Sequence, residues 1–347
     1  MNQGAGRGDE LFVTIRLEDG EKLLFVLDTG CSGVLFDKSS ESKLGACFWT
    51  HKIPEWYGMK TWRLFRAPKL YLGETELRTS GWVWTADLSL FSKVLSQSTG
   101  TNRPIAGILG MSCLKHYCLQ LDFDSREVRF LDPAHLQSAR LGRAFPLMSF
   151  HGCPLVGDNL VGVNGQRSLI DSGANFDGFL TPALMQRWTN HMERFTDGKA
   201  NAVFGGNTYT NVYLGDGGIN GIGLSFLARH LVTLDFPRRT MYLKQTSIGP
   251  LVDEQGQAAM MFLKHLKEEG RMPGWLKDDS GQVSPCAYPM SGIVLAQKTG
   301  DSHIYHYRVV QDAKGGGWKL ERAWLTDANE TVLTEFPVKT ANNDPNN

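Results

Sequence analysis

Phe25-Val26-Leu27-Asp28-Thr29-Gly30 and Ser168-Leu169-Ile170-Asp171-Ser172-Gly173 decide how this chain folds. Each stretch is apolar and then breaks on an acid, a hydroxyl residue and a glycine. The apolar runs, rich in β-branched and aromatic residues, predict strands, and the tripeptide after each predicts a sharp turn. One Asp-(Thr/Ser)-Gly is commonplace in turns. Two, each closing an apolar strand, point to an internal repeat.

The flanks repeat as well. Leu11–Leu17, an Asp19-Gly20 turn and Lys22–Leu27 form a hairpin pattern before the first motif. Asn159–Val163, an Asn164-Gly165 turn and Gln166–Ile170 form one before the second. Asp-Gly and Asn-Gly tolerate positive φ, which makes them strong short-range hairpin signals. Downstream, Gly107-Ile108-Leu109-Gly110-Met111 leads to Leu114 and Leu119–Phe123, as Gly221-Ile222-Gly223-Leu224 leads to Leu227 and Val232–Phe236. Gly110 to Gly223 and Asp122 to Asp235 both span 113 residues, whereas Asp28 to Asp171 spans 143. The first copy therefore carries 30 extra residues in its middle.

Many short strands between Gly-rich turns read as an all-β architecture, with short helical patches at Ser112–Tyr117, Pro182–Thr189 and Ser225–His230. The divisions expected are a first lobe over 9–133, a connector over 134–150 and a second lobe over 151–246. A small α+β domain follows over 251–340, with a disordered tail at 341–347. In that domain Gln257–Glu269 has helical spacing and Gly270 as a stop. Alternating runs at Ser291–Lys298, His303–Gln311, Trp318–Thr326 and Thr331–Val338 predict an antiparallel meander.

With its paired motifs on a repeated unit, the chain resembles the aspartic peptidases over about residues 9–245, with retroviral-type lobes. The resemblance implies a two-lobed acid-protease β-barrel fold in which Asp28 and Asp171 meet at the lobe interface as the catalytic pair. It implies that Thr29 and Ser172 hydrogen-bond across the interface. It also implies that Ile108-Leu109-Gly110 and Gly221-Ile222-Gly223 cross behind the acid loops as ψ-loops. Gly221 stands where that family carries a second apolar residue.

Two close carboxylates cannot both ionise cheaply, so they share a proton near neutral pH. The ionised member can act as general base on a water, and the protonated member can stabilise the developing oxyanion. Gly30 and Gly173 let the backbone approach and donate N–H bonds. Three residues after each Asp stand Cys31 and Ala174, where pepsin-like members carry a hydroxyl donor. Losing that donor raises the pair's apparent pKa values, so activity is expected from mildly acidic to neutral pH. A flap is expected in the first lobe at Trp56-Tyr57-Gly58, or in the second at Phe204-Gly205.

These features describe an endopeptidase that needs no cofactor, metal or second subunit, so a monomer acting on peptide or protein substrates is expected. The alternative is a catalytically silent protein of the same fold that binds peptides or partners. The 36 basic residues equal the 36 acidic ones, which gives no sign of a nucleic-acid partner. No apolar run is long enough to span a bilayer. If Met1 is the native start the chain reads as cytoplasmic; with a leader removed ahead of it, as periplasmic or secreted. None of the six cysteines forms a Cys-x-x-Cys pair; Cys113 and Cys118 are spaced for a possible bridge. No Gly-x-Gly-x-x-Gly opens a helix, so no dinucleotide site is expected.

Overall fold

The computed structural model describes residues 1–2, 4–6, 9–55, 58–89, 91–92, 104–189, 200–212, 214–245, 262–276, 281–285, 293–298, 303–311, 318–327 and 331–338. It is mostly β and divides into two compact units, 1–251 and 252–347. Among the described residues its sheets are open, and none closes into a barrel.

The first sheet of the large unit is built from β1 (Phe12–Leu17), β2 (Lys22–Leu27), β3 (Val34–Asp37), β4 (Cys47–Glu55), β5 (Gly58–Arg66), β6 (Leu70–Leu72), β7 (Thr75–Glu76), β8 (Trp82–Ala86) and β9 (Gly107–Leu109). Its strand order is β4-β5-β8-β3-β9-β2-β1-β6-β7. β1 and β2 form the hairpin expected around Asp19-Gly20, with Phe12 opposite Val26. Phe25 and Phe36 are fully buried and meet edge to face, their centroids 5.0 Å apart. Burying such a ring contributes about 1.5–3 kcal/mol.

The second sheet contains β10 (Cys118–Asp122), β11 (Glu127–Leu131), β12 (Arg143–Phe150), β13 (Cys153–Val156), β14 (Ser168–Asp171), β15 (Gly178–Leu180), β18 (Leu214–Asp216), β19 (Gly221–Gly223), β20 (His230–Asp235) and β21 (Thr240–Gln245). A separate hairpin, β16 (Ala200–Phe204) with β17 (Asn207–Val212), lies between β15 and β18 in the chain. β10 from the first half pairs antiparallel with β20 from the second, so one sheet runs across both halves. The short helices α1 (Met111–Leu114) and α3 (Leu224–Leu227) occupy equivalent places after β9 and β19, and α2 (Pro182–Thr189) follows β15.

Three expectations change. Asn159–Val163 is not the strand before the second acid motif; β13 is, pairing Leu155 with Leu169. The buried Asn159 side chain accepts from the Val161 and Val163 N–H groups and donates to the Val163 carbonyl. It thereby folds this stretch into a loop, the usual way an Asn side chain competes with a ladder. The expected connector is also shorter, because Arg143–Phe150 is a strand paired with both β21 and β13. Finally, the thiols of Cys113 and Cys118 are free. Cys113 sits in α1 and Cys118 opens β10.

The small unit holds a helix over 262–268 and an antiparallel meander of five strands, β22 (Gly281–Pro285), β23 (Ile293–Lys298), β24 (Ile304–Gln311), β25 (Trp318–Thr326) and β26 (Val332–Phe336). Leu263 and Leu266 of the helix share a core with Tyr305, Tyr307, Val309 and Ala323. β22 was not foreseen. Its polar Gly-Gln-Val-Ser-Pro sequence carries no alternation. The tail at 341–347 lies outside the described residues.

Candidate active site

Each acid loop follows a buried strand that points it at the other half. The two are fastened by four reciprocal bonds. Thr29 Oγ1 donates to the Ile170 carbonyl at 2.6 Å and accepts from the Ser172 N–H at 3.0 Å. Ser172 Oγ donates to the Leu27 carbonyl at 2.8 Å and accepts from the Thr29 N–H at 3.0 Å. Both hydroxyl residues are fully buried. Buried hydroxyls that satisfy both their donor and acceptor capacity fix geometry as well as adding stability.

This clasp sets the carboxyls of Asp28 and Asp171 side by side, close enough to interact directly. Asp28 Oδ1 accepts from the N–H groups of Gly30 at 2.7 Å and Cys31 at 3.1 Å. Asp171 Oδ1 accepts from Gly173 N–H at 2.9 Å. Each carboxyl lies against the other loop's glycine. A Cβ on Gly30 would stand 2.5 Å from Asp171 Cγ, and one on Gly173 would stand 2.4 Å from Asp28 Cγ. No larger residue fits at either position.

Burial pushes both acids above the ordinary carboxylate range. For Asp28 the rise is offset by the Gly30 N–H, the bond to Asp171 and the Cys31 N–H. For Asp171 the charge of Asp28 adds to burial and drives it well above that range. The pair therefore retains a proton under conditions where isolated carboxylates have lost theirs. Both Asp residues keep part of their surface open to solvent.

Behind the loops, β9 runs parallel to β2 and β19 runs parallel to β14. Ile108, Leu109, Gly110, Ile222 and Gly223 all lie on these crossings. A Cβ on Gly110 would come 2.1 Å from the Gly33 carbonyl oxygen, and one on Gly223 would come 2.1 Å from that of Phe176. Met111 N–H donates to the Cys31 carbonyl, and Leu224 N–H to that of Ala174. Gly221, the departure from the expected apolar residue, has a local cause. The Phe179 ring occupies the space, 2.0 Å from where its Cβ would be.

Burial, followed by the charge of Asp28, pushes the Cys31 thiol up to about 12; its Sγ donates to the Gly33 carbonyl. It supplies neither a thiolate nor a donor to the outer carboxylate oxygen. Beside it Trp84 approaches Gly33, and the partly buried Trp62, Trp84 and Ile108 pack on the buried Leu35, Ala86 and Leu88. Trp49, half exposed, stacks on His51 and reaches Trp84.

Of the flap residues expected, Trp56 and Tyr57 lie outside the described residues, and Gly58 opens β5 of the β4–β5 hairpin. Phe204 is no cover for a cleft. It is buried and stacked on Phe145, and the Gly205 N–H is tied to Asp158. No sequence signal points to Asp177–Arg229, a fully buried ion pair at 2.9 Å in the second half, or to Cys153, whose Sγ reaches the Gly30 carbonyl. These contacts join positions far apart in the chain, which no local pattern announces.

Among the described residues no group of His, Cys, Asp and Glu is arranged to hold a metal ion, and no helix is long and apolar enough to cross a membrane. No protein-family model matches the chain, and no curated protein matches it.

Proposed function

We propose that the chain is an aspartic-type endopeptidase with a two-lobed acid-protease fold, hydrolysing an extended peptide by a water activated between Asp28 and Asp171. The observation that carries this reading is the close pair of carboxyls, each against the other loop's glycine, held on twofold-like loops by the reciprocal Thr29 and Ser172 bonds.

The chemistry follows from the shared proton. We take Asp28, whose Oδ1 accepts from the Gly30 and Cys31 N–H groups, as the carboxylate that removes a proton from the water. The hydroxide attacks the scissile carbonyl carbon as Asp171 gives its proton to the carbonyl oxygen, leaving a neutral gem-diol. Collapse of the diol breaks the C–N bond. Asp28 then protonates the departing amine, and a diol proton returns to Asp171, so the pair ends as it began. The partly exposed Trp62, Trp84 and Ile108 beside the first loop suit apolar substrate side chains.

The test is incubation with an extended peptide library from about pH 3 to pH 8, with and without a statine-type transition-state mimic. Cleavage that the mimic blocks and that Asp28→Asn and Asp171→Asn abolish is expected. An intact, folded wild-type chain that leaves the whole library uncut defeats the reading.

A further inference from the structure

Cys153 opens β13 in the second half, yet its Sγ donates to the carbonyl of Gly30, in the first-half acid loop, at 3.2 Å. That carbonyl is one end of the planar peptide joining Gly30 to Cys31. The other end is the Cys31 N–H, which donates to Asp28 Oδ1 at 3.1 Å. A single rigid amide is thus gripped at one end by a thiol from one half and at the other by a carboxylate from its counterpart. An amide whose carbonyl accepts a hydrogen bond is polarised into a stronger N–H donor.

We infer that Cys153 is a positioning residue for Asp28, acting across the interface through the Gly30–Cys31 peptide. Its place is built for this. Gly152 before it has φ +88°, and a Cβ there would stand 3.9 Å from that of Ser32, so the β12–β13 turn abuts the first acid loop. Cys153 is 6% exposed. The hairpins β1–β2 and β13–β14 share one register, Phe12 opposite Val26 and Leu155 opposite Leu169. Cys153 therefore occupies the position that Glu10 holds in the first copy, and Glu10 is likewise buried.

The titratable groups facing this peptide are Asp28, Asp171, Cys31 and Cys153 itself. Burial, then the charges of Asp28 and Asp171, push the Cys153 thiol up to about 11, so it stays a protonated donor throughout the working range.

The catalytic meaning of this contact rests on the peptidase reading; the contact itself does not. Cys153→Ala and Cys153→Val, the latter keeping the volume without the donor, are compared with Cys153→Ser, which keeps a donor. Without the donor, the lower apparent pKa of the acid pair is expected to rise by about half a unit, with kcat near pH 5 down about threefold and KM unchanged. Cys153→Ser is expected to restore most of both. Carboxyl-carbon NMR titration of the full chain reads the same shift without turnover. If the wild type cuts nothing while Cys153→Ala still moves that titration, the peptidase reading falls and the positioning stands. If peptides are cut and both readouts ignore the loss of the donor, or serine is as impaired as alanine, the positioning is overturned.

Discussion

Gln120 stands directly opposite Thr233 where β10 meets β20, and its Nε2 donates to the Thr233 hydroxyl at 3.1 Å. The two residues are also 113 positions apart, the spacing of the downstream repeat. Two copies of one strand meet at their own equivalent position, with Leu119 facing Leu234 and Leu121 facing Val232. A local twofold axis passes through such a point. The reciprocal bonds of Thr29 and Ser172 obey the same symmetry at the acid loops.

The acid pair sets a pH-dependent stability of definite sign. Both carboxyls are raised on folding, first by burial and, for Asp171, next by the charge of Asp28. The folded state then binds the proton more tightly than the unfolded one. Stability from this source is present at low pH and is lost as pH rises past the ordinary carboxylate range near about 4. Asp171→Asn should therefore be more stable than wild type at pH 7. It should lose that advantage near pH 4. Urea denaturation at the two pH values checks this, and an advantage equal at both contradicts it.

The clasp should show coupling. Thr29→Val strands the Ser172 N–H and the Ile170 carbonyl in a buried site, at a cost of about 2–4 kcal/mol. Ser172→Ala strands the Thr29 N–H and the Leu27 carbonyl in the same way. Because the two side chains serve one network, the double variant should cost about 1 kcal/mol less than the two separate losses combined. Simple additivity in a denaturation cycle would show that the bonds act independently.

Gly221 and Phe179 should behave as a complementary pair. Gly221→Val drives a side chain into the ring and is expected to destabilise by more than about 2 kcal/mol. Shortening the ring in the background of that change, Gly221→Val with Phe179→Ala, should recover part of the loss. Thermal melts of the single and double variants decide the matter; no recovery means the ring is not what excludes the side chain.

His230 provides a second, opposite pH effect. It is fully buried, with Nε2 against the Tyr209 hydroxyl at 2.9 Å and Nδ1 against the Phe226 carbonyl at 3.0 Å. Burial pushes its pKa down to about 4, so the folded state favours the neutral ring. That contribution is present above the unfolded value near about 6.5 and is lost as pH falls toward 4, amounting to about 3 kcal/mol. His230→Gln should flatten the stability profile over this interval. A variant whose profile falls as steeply as the wild type's would refute the assignment.

The acid motifs were legible because turn chemistry and apolar runs are local signals, and the Gly110 and Gly223 blocks because their spacing repeats without a gap. The second hairpin was misplaced because Asn164-Gly165 is a strong turn signal in isolation. What overrode it was the Asn159 side chain, which closes a loop over the following residues. A better guide lay in the constant spacing from the acids, which pairs Phe12 with Leu155 as it pairs Asp28 with Asp171. β12 reads as a connector on its Arg, Pro and Ser content, yet Phe145 and Leu147 alternate with exposed neighbours in the manner of a strand. The Phe179 ring against Gly221 and the reach of Cys153 to Gly30 are tertiary encounters, and nothing in the flanking residues encodes them.

The sheet that spans both halves bears on how the chain could be divided. Residues 132–142 between β11 and β12 carry only short turns, mostly exposed apart from the buried Leu141, so the covalent thread there adds little to the ribbon on either side. A chain cut at Gln137 would leave β10 on one fragment and β20 on the other, each exposing the edge that matches its counterpart. The amino terminus would add to the grip, since Gly6 rests against Ala228 of the far fragment. Co-expressed pieces are therefore expected to find one another and rebuild the acid pair, converting a single polypeptide into an obligate heterodimer whose assembly switches the site on.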